Sequence, residues 1–276
     1  MLKKLIRYDM KSLNHFLPFL HIFALLASIL MRLFVTGRIN PQSSSKQVDF
    51  IFILFFILFF TTITALSTGT YLLAGIRFYK NMFTDEGYLT RTLPVTNATH
   101  LLSKTIAGSI WAVINMSVIY LCTYLVLCTP YIQSAVTSHK AEILREFGAT
   151  GEYAGLSFSS ALTVLFLFSC LGSISSIVMI YASVALGQLF SSHRVLGAVV
   201  SYFAISTVLS VLSLVVMALF GNETRLIITA GSEGDNFNFI AYMIDVMKTS
   251  TILMAGTSVI LYIMTHYIMN KKINLI

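Results

Sequence analysis

Six long stretches of the chain contain no Asp, Glu, Lys or Arg, and each reaches the length of about 20 residues that a helix needs to cross a bilayer. These stretches are residues 12–31, 50–76, 105–139, 153–193, 195–222 and 249–270. The intervals between them are shorter than the roughly 50 residues that an additional domain usually needs. The sequence therefore predicts an all-α integral membrane protein with one transmembrane domain over residues 1–276, and it excludes a soluble enzyme.

Trimmed at their polar ends, the stretches predict six transmembrane helices. The predicted spans are residues 16–36, 50–75, 104–128, 157–190, 195–220 and 248–269. As a single helix the fourth span is about 50 Å long, which exceeds a simple crossing of about 30 Å but is short for two crossings and a turn. Two interpretations stay open: the helix projects beyond the bilayer, or it is broken near Gly172.

The distribution of Lys and Arg predicts the orientation of these spans. With the N-terminus inside, the cytoplasmic side holds eleven basic residues and three acidic ones, whereas the outside holds seven basic residues and eight acidic ones. This bias favours six crossings with both termini in the cytoplasm. The net charge of +7 then reflects topology, and we expect no nucleic-acid partner.

Residues 2–14 precede the first span and have the pattern of a basic amphipathic helix. At 100° per residue, one face carries Leu2, Leu5, Ile6, Met10 and Leu13, and the opposite face carries Lys3, Lys4, Arg7 and Lys11. Such a helix lies in the lipid headgroup layer, although a frayed tail that only sets orientation is the alternative. Asp9 lies on the apolar face without a recognisable partner. Lys104, near the predicted start of the third span, is expected to extend to the interface.

The sequence offers no catalytic machinery. It contains no HExxH or GxSxG motif and no glycine followed by lysine, so the phosphate-binding loop of ATPases is absent. The three cysteines lie inside apolar stretches without metal-ligand spacing. We therefore expect no catalytic residue, no metal site and no cofactor bound by this chain. A carrier coupled to an ion gradient is also disfavoured, because no Asp, Glu, Lys or Arg lies near a span centre.

The predicted cytoplasmic loop of residues 77–103 mixes charged residues with apolar ones. Its apolar members include Phe83, Tyr88, Leu89 and Leu93, which either pack under the transmembrane helices or dock on another protein. The pattern predicts a short helix with Thr84 as its N-cap, Asp85 and Glu86 in its first turn, and Pro94 beyond its end. Thr96 or Asn97 is expected to cap the third span.

Two stretches resemble the permease subunits of bacterial type-two ABC exporters. They are EGYLTRTLPV (Glu86–Val95) and ALGQLFSSHRVLG (Ala185–Gly197), the latter predicted as a tight turn between spans four and five. The resemblance, which includes the six-span plan, implies an elbow helix before span one and a coupling helix that contacts a separate ATPase. It implies that the docking residues are Phe83, Thr84, Asp85, Glu86, Gly87, Tyr88 and Leu89, with Gly87 bending the backbone and Glu86 making a charged contact.

The resemblance further implies two permease chains and two ATPase subunits in a bacterial cytoplasmic membrane, with ATP bound by the ATPases. The predicted function is export of amphipathic cargo, such as a peptide, a drug or a lipid-like molecule, by alternating access. The main alternative is a membrane protein that binds without pumping, such as a sensor or a peptide-antibiotic immunity factor. Whether the second permease is the same chain or a sister chain stays open.

Overall fold

A computed structural model describes residues 1–14, 16–38, 46–139, 142, 158–190, 193–219 and 239–271, and every regular element within these ranges is a helix. The helices, numbered in chain order, are α1 (Leu2–Leu13), α2 (Leu17–Arg38), α3 (Lys46–Phe83), α4 (Asp85–Arg91), α5 (Asn97–Leu127), α6 (Pro130–Ser138), α7 (Phe158–Gly187), α8 (Arg194–Leu219) and α9 (Phe239–Lys271).

Six of these helices are long and apolar enough to cross a membrane, which confirms the predicted all-α class and the number of spans. The candidate spans are Leu17–Thr36, Ile53–Phe83, Asn97–Leu127, Leu162–Gly187, Arg194–Leu219 and Tyr242–Lys271. The length and composition of these helices identify a multi-pass membrane protein.

Two predicted span boundaries differ from the helices. The second span was predicted to end at residue 75, but α3 continues past Arg77 and Lys80 to Phe83. The third was predicted to begin at residue 104, but α5 begins at Asn97 and includes Lys104. A charged residue marks the edge of an apolar stretch, but it does not stop a helix, because Lys and Arg are good helix formers.

The fourth span is one uninterrupted helix. α7 has 30 residues and passes through Gly172 without a break, so the interpretation of a helix broken there is wrong. At 1.5 Å per residue the helix is about 45 Å long. It therefore exceeds the hydrocarbon thickness of about 30 Å, as the interpretation of a projecting helix requires.

The chain divides into two compact units: residues 1–77 with 103–140, and residues 78–102 with 141–276. In the first unit, α2, α3 and α5 pack around an apolar core. The core residues are Ala24, Met31, Val35, Phe59, Leu66, Cys122 and Val126. A smaller cluster of Leu13, Leu17 and Trp111 joins α1 and the start of α2 to α5.

In the second unit, α7 packs against both α8 and α9. Val178 and Ala182 of α7 lie in a core cluster with Leu261 of α9. The hydroxyl of Ser258 in α9 also donates to the hydroxyl of Ser175 in α7, at 2.9 Å. Apolar packing and one serine pair thus join these two helices, and such interhelical hydroxyl bonds are common between membrane helices.

The turn between α7 and α8 brings two glycines into contact with the opposite helix. A Cβ added at Gly187 would lie 2.5 Å from the backbone nitrogen of Ala198, and one added at Gly197 would lie 2.6 Å from the ring of Phe190. Neither position has room for a side chain. This close approach explains both glycines of the ALGQLFSSHRVLG stretch, and Ser191 and Ser192 within it lie outside the described residues.

Candidate functional site: the corner between α3 and α4

The predicted loop between spans two and three is largely helical. α3 ends at Phe83, Thr84 adopts an extended backbone with φ −115° and ψ −169°, and α4 begins at Asp85. Thr84 occupies the N-cap position as predicted, but its side chain makes no capping bond to α4. Its hydroxyl instead donates to the carbonyl of Lys80 at 2.6 Å, so it gives a partner to one of the last carbonyl groups of α3.

The first turn of α4 is held by backbone bonds to Thr84. The amide of Gly87 donates to the Thr84 carbonyl at 2.7 Å. Asp85 and Glu86 lie in this turn, where carboxylates interact favourably with the helix dipole. The predicted capping of α5 is also present, because the hydroxyl of Thr96 accepts from the amide of Thr99 at 3.4 Å.

Packed aromatic rings hold the corner between α3 and α4 in place. Phe83 is only 4% exposed, and its ring meets the ring of Phe78 edge to face at 5.6 Å between centroids. Phe78 in turn stacks on Tyr181 of α7 at 4.1 Å and 16°. Phe83 therefore positions α4 and is too buried to reach a partner, so its predicted docking role is not favoured by the structure.

Gly87 also has a different role from the predicted one. It lies inside α4 in the ordinary helical region, and the change of direction occurs earlier, at Thr84. The prediction that Gly87 bends the backbone is therefore wrong. A Cβ at this position would lie 2.6 Å from the carbonyl carbon of Met82, so glycine lets α4 rest directly on the end of α3.

The outward face of α4 combines acidic and apolar side chains. Asp85 and Glu86 are exposed, and Tyr88 and Leu89 are 66% and 69% exposed. Leu93, just beyond the helix, is 46% exposed. We call these five residues the α4 patch. With Phe83 and Gly87 buried and Thr84 half-buried, the sequence-predicted docking set divides into residues that seat α4 and residues that face outward.

Residues 2–13 form the helix α1, and the predicted place of residues 2–14 in the headgroup layer stays a prediction. The four cations Lys3, Lys4, Arg7 and Lys11 are all exposed, whereas Leu13 is buried and Leu2, Leu5, Ile6 and Met10 are half-buried. Leu13 packs against Leu17 and Trp111. α1 thus packs against its own unit through Leu13 and Met10, and its four cations are exposed.

The structure supplies the partners of Asp9, which sequence reasoning did not find. Its carboxylate accepts from Lys104 Nζ at 2.8 Å and from Ser103 Oγ at 2.6 Å. Both members of the ion pair are about 7% exposed. Lys104 therefore does not extend to the surface as predicted, because it is drawn to a buried carboxylate. The placement of Asp9 on the apolar face was the one available signal, since 95 residues separate it from Lys104.

Within the part of the chain that the structure describes, no three His, Cys, Asp or Glu side chains gather in a way that could hold a metal ion. No protein-family model matches the chain, and no curated protein or solved structure matches it significantly. The resemblance to ABC exporter permeases therefore depends on the two quoted stretches and the span plan alone, and it stays a prediction.

Proposed function

We propose that this chain is the transmembrane permease subunit of an ATP-driven ABC exporter, which moves amphipathic cargo out of a bacterial cell by alternating access. The α4 patch carries the proposal. It lies on the short helix α4, between two candidate spans. Buried Phe83 and Gly87 hold this helix in place, while the large apolar side chains of Tyr88 and Leu89 face outward. A loop that only links two spans needs no such seat and no such exposed patch.

The chemistry of the patch fits a protein partner. Tyr88 and Leu89 supply apolar area, and aromatic residues commonly dominate the binding energy of interfaces. Asp85 and Glu86 supply charges that select the partner and its orientation. In this proposal each of two ATPase subunits binds one α4 patch, ATP is bound and hydrolysed on those subunits, and a second permease chain completes the translocation path.

The same proposal gives α1 a place at the membrane. Its four exposed cations are the groups that attract anionic headgroups, and each contributes about 1 kcal/mol near a negatively charged surface. With α4 and both termini on the cytoplasmic side, α1 is the elbow helix that lies along the inner leaflet. The Asp9–Lys104 ion pair then joins this helix to the start of α5.

Affinity purification from native membranes in a mild detergent tests the proposal. A tagged wild-type chain is expected to retain a soluble ATPase in stoichiometric amount. Tyr88→Ala with Glu86→Arg is expected to lose it, because truncation of an interface tyrosine alone costs about 2 kcal/mol or more, which is about a 30-fold loss of affinity.

The control changes the same residue types elsewhere. Tyr124→Ala with Glu142→Arg also removes one exposed tyrosine and reverses one exposed carboxylate, and we expect it to retain the ATPase. If a monodisperse wild-type chain retains no ATPase, the exporter proposal is wrong, and the alternative of a non-pumping binding protein replaces it. If both double variants keep the ATPase equally, the α4 patch is not the docking surface.

A further inference from the structure

Three buried polar side chains in the first unit each have a nitrogen without a hydrogen-bond partner among the described residues. The atoms are His21 Nε2, Trp111 Nε1 and Asn115 Nδ2. The exposed fractions of these residues are only 6%, 8% and 0%. Each residue lies within a candidate span, where an unsatisfied polar group costs several kcal/mol because no bulk water can reach it.

These side chains belong to one junction of α2, α3 and α5. The rings of His21 and Trp111 lie 6.1 Å apart between centroids. Asn115 follows Trp111 by one helical turn, and its amide is bonded to the hydroxyl of Thr70 in α3 at 3.2 Å. The side chain of Leu20 in α2 packs against the backbone of α3 here, since a Cβ at Gly69 would lie 3.2 Å from Leu20 Cδ1.

The hydrogen-bonding capacity of the open atoms is complementary. His21 Nδ1 lies 2.6 Å from the carbonyl of Leu17, so in the neutral ring this nitrogen carries the proton and Nε2 presents a lone pair. Trp111 Nε1 can only donate. A single group that donates to the histidine and accepts from the tryptophan satisfies both, and a hydroxyl does this.

The side-chain amide of Asn115 also has an atom that a bound hydroxyl group can pair with. The one proton of the Thr70 hydroxyl has two acceptors within reach, the Leu66 carbonyl at 2.9 Å and the Asn115 amide oxygen at 3.2 Å. If the proton goes to Leu66, the amide of Asn115 turns over and donates to Thr70. With the amide oxygen on Thr70, the open amide N–H of Asn115 donates to the second lone pair of the bridging hydroxyl; with the amide turned over, its open oxygen needs the second proton of a water molecule.

We propose that this junction is a binding site for one neutral hydroxyl group, which bridges His21 Nε2 and Trp111 Nε1 and takes Asn115 as its third partner. Buried waters typically make about three such bonds to otherwise unsatisfied polar groups. Trp111 lies about 10 Å further along α5 than Lys104, so the site is inside the span and away from its end. A water molecule and the hydroxyl of a lipid or other alcohol share this chemistry.

Trp111 is the only tryptophan of the chain, so its signal reports this site alone. Resonance Raman spectroscopy of the purified full-length protein distinguishes a hydrogen-bonded indole N–H from a free one. We expect a bonded N–H in the wild-type protein and a weakened bond in Asn115→Leu. The control Ser28→Ala removes a buried hydroxyl that is already bonded to Ala24 in α2, and it is expected to leave the signal unchanged.

A density map that shows ordered waters separates the possible occupants. We expect one oxygen at about 2.7 to 3.2 Å from both ring nitrogens. A repeat after complete delipidation in lauryldimethylamine oxide, a detergent without hydroxyl groups, distinguishes the sources: a water molecule persists and a lipid hydroxyl is lost. A free N–H in the wild-type protein, or a direct bond between His21 and Trp111 that Asn115→Leu leaves unchanged, overturns the proposal.

Discussion

Substitution of Asp9 tests the polar contact between α1 and α5. Asp9→Ala removes two charge-assisted hydrogen bonds and leaves the buried Lys104 ammonium without its carboxylate. The alanine itself is well tolerated in a helix. The expected loss of stability therefore comes from the broken ion pair and not from the backbone.

The size of the loss follows from burial. Removal of one partner from an ion pair that is only about 7% exposed costs about 3 to 5 kcal/mol, whereas an exposed pair contributes about 0 to 1 kcal/mol. If the loss falls on local opening of α1, about 3 kcal/mol raises the opening equilibrium by about two powers of ten. A double variant, Asp9→Leu with Lys104→Met, restores most of this stability because it leaves no charge at the buried position.

Limited proteolysis measures this opening. Trypsin cleaves at Lys3, Lys4, Arg7 and Lys11 only when α1 unfolds locally, so loss of an N-terminal tag from detergent-solubilised protein follows the open population. Asp9→Ala is expected to raise the cleavage rate about 100-fold, and Tyr8→Ala, at an exposed neighbouring position, serves as the control with little change. If Asp9→Ala and Tyr8→Ala are cleaved equally slowly, the ion pair does not hold α1 in place.

Three further substitutions test the second unit, each by thermal or denaturant unfolding in detergent. Gly187→Ala is expected to lower the free energy of unfolding by about 1 to 3 kcal/mol, because its Cβ meets backbone atoms. The control Gly256→Ala, where no atom lies within 4 Å, is expected to change it by at most about 0.5 kcal/mol. Equal effects would contradict the close α7–α8 contact. Phe83→Ala is expected to cost about 3 to 5 kcal/mol, and the exposed Tyr88→Ala about 0.5 kcal/mol or less, so a neutral Phe83→Ala would refute its seating role. Ser258→Ala removes one hydroxyl bond to α7 and is expected to cost about 0.6 kcal/mol; a loss of several kcal/mol would mean that this serine does more than bridge the two helices.

The helical class and the number of spans were predictable because both depend on the length of uncharged stretches, which is read directly from the sequence. The ends of the spans were not. Arg77 and Lys104 were taken as boundaries, but helix geometry tolerates them and the apolar pattern carries no information on where hydrogen bonding stops. A capping residue such as Thr96 is a better signal, since its side chain acts on the helix end itself.

The site was predictable in composition but not in arrangement. The sequence placed seven residues together in one segment, and only side-chain packing divides them into those that seat α4 and those that face outward. Composition alone does not distinguish Phe83 from Tyr88, because both are aromatic. In the structure Phe83 is buried against Phe78, whereas Tyr88 is two-thirds exposed. The partners of Asp9 were beyond reach because the pairing depends on how α1 meets α5, and no local pattern records that contact.

The aromatic stack under α4 has a consequence for the mechanics of the second unit. A flexible contact between two helices absorbs part of any displacement. Long aliphatic side chains make such contacts because they have many torsions. Here the end of α3, directly before α4, is joined to α7 by Phe83, Phe78 and Tyr181, three flat rings that are at most 4% exposed. Close-packed interiors compress very little. If a partner binds α4 as proposed, we expect its displacement of α4 to pass through the end of α3 to α7 with little loss at the corner.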